Sequence, residues 1–421
     1  MFRLNTILAV LALLTTFVQA HTVFTTLYVD GTTEGDGTCI RMNRNADKVS
    51  FPIEPLSSKD IACGYDGEKA VARVCPAKAS STLTFQFKQY ADGSKPSPLD
   101  RSHKGPCAVY MKKVADATAD NNAAGDGWFK IWQADYDAAA GKWCTEQMID
   151  NKGFLSAQIP SDIEGGYYLV RPELLALHAA QDNPRDPQFY VGCAQVFVES
   201  AGTAKPATTT IGEGTYDLSI PGMTFNIYQK PMALPYPMFG PPVYKAGTPQ
   251  PAPTNQKTPT EQKAPTEQKT PTEQQAPTEQ KAPTEQKAPV QQKPVNACLA
   301  PRSMLIQDKG LKPKGCILVR DNWCGFEVPA YTTQDGCWAS QKNCWDQADV
   351  CWGTALPTGS SHCQIWSDKC TALNNSCKSG QWVGPPDAGK DLTPVPATLA
   401  SLKVSRRAIG MRRRGRRHTH A

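Results

Sequence analysis

Three histidines in the first half of the chain, His21, His103 and His178, are the side chains best suited to hold or serve a transition metal. His21 is set apart by its position. Residues 1–20 read as a secretory signal peptide, with Arg3, an apolar run from Ile7 to Val18, and the small-residue end Val18-Gln19-Ala20. The alternative, an anchoring helix, needs roughly 20 apolar residues, more than this run supplies. Cleavage after Ala20 makes His21 residue one, and a terminal histidine offers a single ion both its α-amine and a ring nitrogen. One further imidazole completes three nitrogens, a set that suits the tetragonal preference of copper better than the tetrahedral preference of zinc.

Each of these residues also has an ordinary reading. His103, in Ser102-His103-Lys104-Gly105-Pro106, is by itself a surface-loop histidine, and His178 is a capping or core side chain whose loss harms stability more than turnover. A buried His178 that changes protonation would instead suit proton delivery. Along an extended strand Gln188 and Tyr190 share one face and Cys193 takes the other. Taken without the histidines, that tyrosine is an ordinary strand residue and the glutamine a solvated amide.

The elements that must position these groups read as all-β. Residues 82–90 alternate Leu83, Phe85 and Phe87 with Thr84, Gln86 and Lys88, the pattern of a strand with one buried face. Similar runs cover 107–114, 128–132, 155–159, 167–170 and 189–198, separated by Gly, Pro, Asp and Asn clusters. Many short strands with long loops, such as 31–60 and 91–106, predict a β-sandwich of immunoglobulin-like or fibronectin-like type over residues 21–247. Helix is expected only in short pieces, chiefly at 172–180, where Pro172 suits a first helical position.

Beyond this domain the composition changes. Residues 248–297 form a linker in which Pro-Thr-Glu-Gln recurs from Pro259, Pro265, Pro271, Pro277 and Pro283, too polar to fold and spaced by proline into a disordered, extended spacer. Residues 298–382 form a small module rich in cysteine and in tryptophan (Trp323, Trp338, Trp345, Trp352, Trp366 and Trp382), held mainly by its bridges. Its tryptophans are either a sugar-binding platform or the core of a domain short of other large apolar residues. Asn374-Asn375-Ser376 is a glycosylation sequon. Residues 383–421 read as a basic, disordered tail, with eight Lys or Arg from Lys403 to Arg417 and no acid. The tail outweighs the net charge of +6, so the rest of the chain is not basic and nucleic-acid binding is not expected. Its arginines serve either an anionic surface or a processing enzyme. The 15 cysteines fall as six from Cys39 to Cys193 and nine from Cys298 to Cys377, a disulfide framework with one left over.

In order, His21 after the signal, Ser102-His103-Lys104-Gly105-Pro106, Tyr167-Tyr168-Leu169-Val170-Arg171-Pro172-Glu173 leading to His178, and Gln188-Phe189-Tyr190-Val191-Gly192-Cys193 carry a resemblance. This set resembles the fungal lytic polysaccharide monooxygenases of auxiliary activity family 9, formerly glycoside hydrolase family 61, over about residues 21–247. The resemblance implies a copper site, one ion per catalytic domain, held by the amine and ring of His21 and the ring of His103 with Tyr190 axial. It implies that His178 and Gln188 handle oxygen beside the metal, and that a bridge joins Cys63 to Cys193. Cys39 with Cys75 and Cys107 with Cys144 then remain as the other pairs, one of several connectivities six cysteines allow. It also places substrate-stacking aromatics in the late proline-rich loop, at Tyr236 and Tyr244, for which the ordinary reading is a packed wrap over the sandwich.

The function these features imply is secreted, copper-dependent oxidation of a β-1,4-glucan at C1 or C4 with O2 or H2O2. The expected partners are crystalline cellulose or a related glucan and an external electron donor, either a small reductant or a secreted dehydrogenase, acting on a monomer without a transmembrane segment. The rival is a secreted copper-binding or polysaccharide-binding protein without catalysis. A glycosidase is a third reading, but no acidic pair of the required kind occurs in these motifs.

Overall fold

The computed structural model describes residues 21–248 and 305–402, which belong to one compact unit. The expected signal peptide, nearly all of the repeat linker, Cys298 and the arginine-rich end from Lys403 lie outside the described residues.

The chain opens with β1 (Val23–Val29), β2 (Ile40–Arg41), β3 (Cys75–Lys78), β4 (Thr82–Lys88), β5 (Cys107–Val114) and β6 (Gly125–Ala134). A two-strand clip, β7 (Tyr136–Asp137) with β8 (Lys142–Trp143), leads into a short helix, α1 (Cys144–Asp150). Then come β9 (Phe154–Gln158), β10 (Glu164–Ala179), β11 (Asp186–Val191), β12 (Cys193–Ala201) and β13 (Thr209–Ile211). They build a sandwich. One sheet runs β1-β4-β9, and the other β13-β6-β5-β10-β12-β2, with β11 extending the pairing of β10 and β3 lying parallel to β12.

The larger sheet is buried on both faces, and alternate residues along its strands enter two different cores. Val109, Met111, Tyr168, Val170, Leu174 and Ala176 join Phe24, Leu27, Phe85 and Phe87 between the sheets. Ala108, Tyr110, Leu169, Leu175 and Leu177 instead meet Trp128, Trp143, Phe189, Tyr216, Tyr236 and Phe239 on the outer face.

This double burial overturns the helix expected at 172–180. Residues 172–179 are the second half of β10, a 16-residue strand paired with β5 on one side and with β12 and then β11 on the other, and Ala180 begins the turn after it. A strand covered on both faces has apolar side chains at every position, so its period-two signal disappears and a helix pattern can be read into it. Pro172 fits because the β12 register ends at Val170 and the β11 register begins at Glu173, leaving no ladder partner on that side for a missing N–H to disturb. The run expected as one strand over 189–198 is likewise two, split at Gly192 into β11 and β12.

The late proline-rich loop corrects a second expectation. Tyr236 is 5 % exposed, packs edge-on against Trp143 and Phe225, and donates its hydroxyl to the Gly222 carbonyl. Tyr244 is 8 % exposed, packs against Phe129 and donates to Asp162 Oδ2. Neither offers a ring face to a polysaccharide. Each aromatic body is consumed by the wrap over the sandwich, and each hydroxyl finds the partner that burial demands.

The C-terminal stretch folds as a hairpin, β14 (Cys316–Arg320) with β15 (Trp323–Phe326), followed by two helices, α2 (Gln334–Gly353) and α3 (Ser361–Lys378). Thr333 caps α2 by accepting the Gly336 amide. Cys337, Cys344 and Cys351 recur every seven residues on α2, as Cys363, Cys370 and Cys377 do on α3, and they pair in nested order: 337 with 377, 344 with 370, 351 with 363. Seven residues are close to two helical turns, so each trio forms a stripe and the bridges lock the helices antiparallel. With Cys316–Cys324 and the sandwich bridges Cys39–Cys75, Cys63–Cys193 and Cys107–Cys144, every described cysteine is paired. The sequon at Asn374 falls within α3, not in a loop.

This module packs against the sandwich. Thr38 Oγ1 donates to the Asp321 carbonyl, Asn322 Nδ2 donates to the Gly37 carbonyl and its Oδ1 accepts the Cys39 amide, and Leu356 enters the core between the sheets. Before β14, Tyr167 donates to Asp308 Oδ1 and Lys309 pairs with Asp116 at 2.6 Å. After α3 the described part of the stretch expected to be disordered from 383 packs on the sandwich: Leu399 is buried against Tyr28 and Phe154, with its amide on the Gly31 carbonyl.

Candidate metal centre

His21 precedes β1 and is held by its neighbour. Thr22 is buried and donates its hydroxyl to the Pro98 carbonyl at 2.6 Å, pinning a position that would otherwise fray. His103 lies in the loop before β5, buried, in a turn where Asp100 accepts the amides of Ser102 and His103. The loop docks on the end of β10 through Leu177 N–H to the Lys104 carbonyl and Leu175 N–H to the Pro106 carbonyl. Gly105 permits this approach, because a Cβ there would overlap the Leu175 carbonyl oxygen. His178 projects from the end of β10, and Gln188 and Tyr190 from β11, so the sheet itself sets their spacing.

Three rings converge. The His21 and His103 centroids are 6.3 Å apart, and each lies 5.9 Å from the Tyr190 ring; His178 stands 4.1 Å from His103. His21 Nδ1, His103 Nε2 and His178 Nδ1 are buried without a hydrogen-bond partner among the described residues. Buried polar atoms rarely go unpaired, and two such nitrogens on neighbouring rings are what a metal would satisfy. The particular atoms fit a chelate. Nδ1 is the ring nitrogen nearer the backbone of His21, in reach of the same ion as its own amine, while the Nδ1 of His103 already meets Ser102 Oγ at 3.1 Å and leaves Nε2 free. Among the described residues no three His, Cys, Asp or Glu side chains gather as a metal cluster.

Electrostatics favour neutral, ligating rings. Burial and the nearby His178 push the His103 imidazole down to about 4, and burial lowers His21 and His178 as well. Burial raises the Tyr190 phenol far above its ordinary value, so it remains protonated, and it donates to Gln188 Oε1 at 2.8 Å. Gln188 Nε2 in turn donates to Asp186 Oδ2 at 2.6 Å.

The structure thus brings His21, His103, His178, Gln188 and Tyr190 together and leaves Tyr236 and Tyr244 in the core. Three further residues join the site. Asp186 orients Gln188, and its spacing from 188 and 190 on one strand face was a usable signal. Phe51, 42 % exposed, packs edge-on to His21 at 4.8 Å, and Tyr228, 61 % exposed, donates its hydroxyl to the His178 carbonyl. Both come from loops without periodicity, so nothing in the sequence singled them out.

A family model described as Auxiliary Activity family 9 (formerly GH61) matches residues 21–236, and one described as a repeat of unknown function matches 265–292. An AA9 family lytic polysaccharide monooxygenase from Aspergillus tamarii is 57 % identical over 95 % of this chain and 97 % of its own length. Another, from Emericella nidulans, is 54 % identical over 92 % of this chain but only 60 % of its own length. A solved structure titled as a cellulose-active polysaccharide monooxygenase from M. thermophila is 27 % identical, covers 53 % of this chain and 99 % of that chain, and has a TM-score of 0.43.

Proposed function

This chain belongs to auxiliary activity family 9, the lytic polysaccharide monooxygenases, and from that premise we propose that it is a secreted enzyme cleaving β-1,4-glucan, cellulose above all, by oxidation at C1 or C4. The observation that carries the reading is the pair of unpartnered, buried nitrogens, His21 Nδ1 and His103 Nε2, on rings that converge with Tyr190.

Members of the family are copper enzymes, and the residues here fit that ion. His21, through ring and amine, and His103, through Nε2, would hold one copper, with the Tyr190 hydroxyl beside it. When bound, copper supplies one-electron chemistry toward O2 or H2O2, with electrons from an external donor. The chain's own part is positional. Tyr190 stays a neutral phenol held by Gln188, Asp186 fixes the Gln188 amide, and a neutral His178 stands ready to take or pass a proton at the reacting face. Phe51 and Tyr228 offer exposed aromatic surface beside the histidines, suited to a sugar ring. The rival reading, binding without catalysis, leaves the ordered Tyr190–Gln188–Asp186 chain without a task.

Secretion accords with the same requirement, since removal of residues 1–20 would free the His21 amine. The test compares chain beginning at His21 with chain carrying one extra residue before it, both copper-loaded and given ascorbate and cellulose. Mass spectrometry is expected to find oxidised oligosaccharides from the first alone, and calorimetry much weaker copper binding by the second. Full activity of the extended chain would rule out the site.

A further inference from the structure

Of the six tryptophans of the C-terminal module, four belong to its core or rest against it and two, Trp338 and Trp352, are exposed. Trp366 is fully buried and donates its indole N–H to the Cys344 carbonyl, Trp323 packs edge-on against it, and Trp382 leans on the same core. These are structural. Trp345 rests one side on that core as well, but with the more exposed Trp338 and Trp352 it lies on α2, each one residue after a bridged cysteine, so that the three repeat every seven residues.

That register has two consequences. The cysteines commit one stripe of α2 to α3, and the tryptophans, about 100° further round, form a second stripe along the side of the helix pair. Trp338 is 36 % exposed and Trp352 45 %, with Trp345 half-buried between them. Trp352 donates its indole N–H to Ser367 Oγ on α3, which fixes the ring without covering it. Three aligned, partly exposed indoles are far more apolar surface than a solvated helix needs.

Positions seven residues apart lie about 10.5 Å apart along a helix axis. A β-1,4-linked glucan is a ribbon in which alternate sugars are turned over, so the same face returns every second sugar, a comparable step. Charge points to a neutral partner. Lys342 on this helix is spent on Asp346, and Asp335 and Asp349 add negative charge, which disfavours anionic polymers and lipid surfaces. Gln341 and the Lys342–Asp346 pair lie between the rings, where hydroxyl groups need partners.

We propose that Trp338, Trp345 and Trp352 form a binding ladder for a single neutral β-1,4-glucan chain, distinct from the metal centre and engaging alternate sugars. This rests on the glucan reading of the catalytic site. The test uses full-length chain from His21, stripped of copper, and measures retention on microcrystalline cellulose for wild type and for the W338A/W352A variant, whose unchanged thermal midpoint certifies its fold. Retention is expected to fall about tenfold in the variant, while the W338F/W352F variant keeps most of it. Equal retention by wild type and W338A/W352A, or no retention by wild type, overturns the ladder. So does a change from dimer to monomer in that variant with retention intact, because the stripe would then join two copies. Oxidation of cellulose by copper-loaded wild type is scored separately: its failure would sink the catalytic reading and leave the copper-free retention result standing.

Discussion

Asp186, Gln188 and Tyr190 lie two residues apart on β11, and their side chains are joined in that order by hydrogen bonds of 2.6 and 2.8 Å. The carboxylate makes no hydrogen bond to either His21 or His103, though its charge is felt at His21, and it decides which end of the Gln188 amide faces Tyr190. Substituting Asp186→Ala is expected to lower oxidative turnover on cellulose about tenfold with little change in thermal midpoint, and Asp186→Asn, which still accepts, to lower it less. Turnover equal to wild type would show that Gln188 needs no such support. At this scale the sequence was most informative, because His21, His103, His178, Gln188 and Tyr190 carry their chemistry in their types and order. What it hid was exposure: Tyr236 and Tyr244 are aromatic and lie among prolines, but only packing shows that Trp143, Phe225 and Phe129 cover them.

Among the elements, β10 does most to position the site, since it delivers His178 at one end and gives the His103 loop a strand to dock on. Midway along it Arg171 and Glu173 form a 2.6 Å ion pair that is almost wholly buried, with Ile61 and Tyr216 supplying the remaining hydrogen bonds. Replacing Glu173→Gln leaves a buried guanidinium without its counter-charge and is expected to cost about 3–5 kcal/mol in chemical denaturation. Arg171→Met with Glu173→Leu should cost less than the two single substitutions summed; strict additivity would mean the groups do not interact. The strand was misread as helix because both its faces are apolar, and the Arg-Pro-Glu interruption, which looks like a helix start, is an ionic core with a proline in a ladder gap. The seven-residue spacing of cysteines on α2 and α3 was present in the sequence and would have given the antiparallel pair. A count of cysteines alone could not.

For the whole molecule, the sandwich and the C-terminal module share one compact unit through Leu356, Asn322, Lys309 and Leu399. Composition suggested separate modules on a spacer, since a proline-rich repeat between two cysteine-rich blocks says nothing about whether the blocks touch. Leu399→Asp should uncover Tyr28 and Phe154 and lower the unfolding midpoint by about 5 °C; an unchanged midpoint would show that the strap after α3 adds nothing to stability. The docking also changes what the stretch between Thr248 and Leu305 connects. Its two ends belong to surfaces already joined, so it closes a circuit where a tether would bridge a gap. A protease that nicks it should give two bands on a denaturing gel and one particle of undiminished mass in native chromatography, whereas two separate particles would mean that the repeat alone holds the halves together. Trimming by enzymes in a cellulose-degrading broth would then shorten the chain without stripping the monooxygenase domain of its companion.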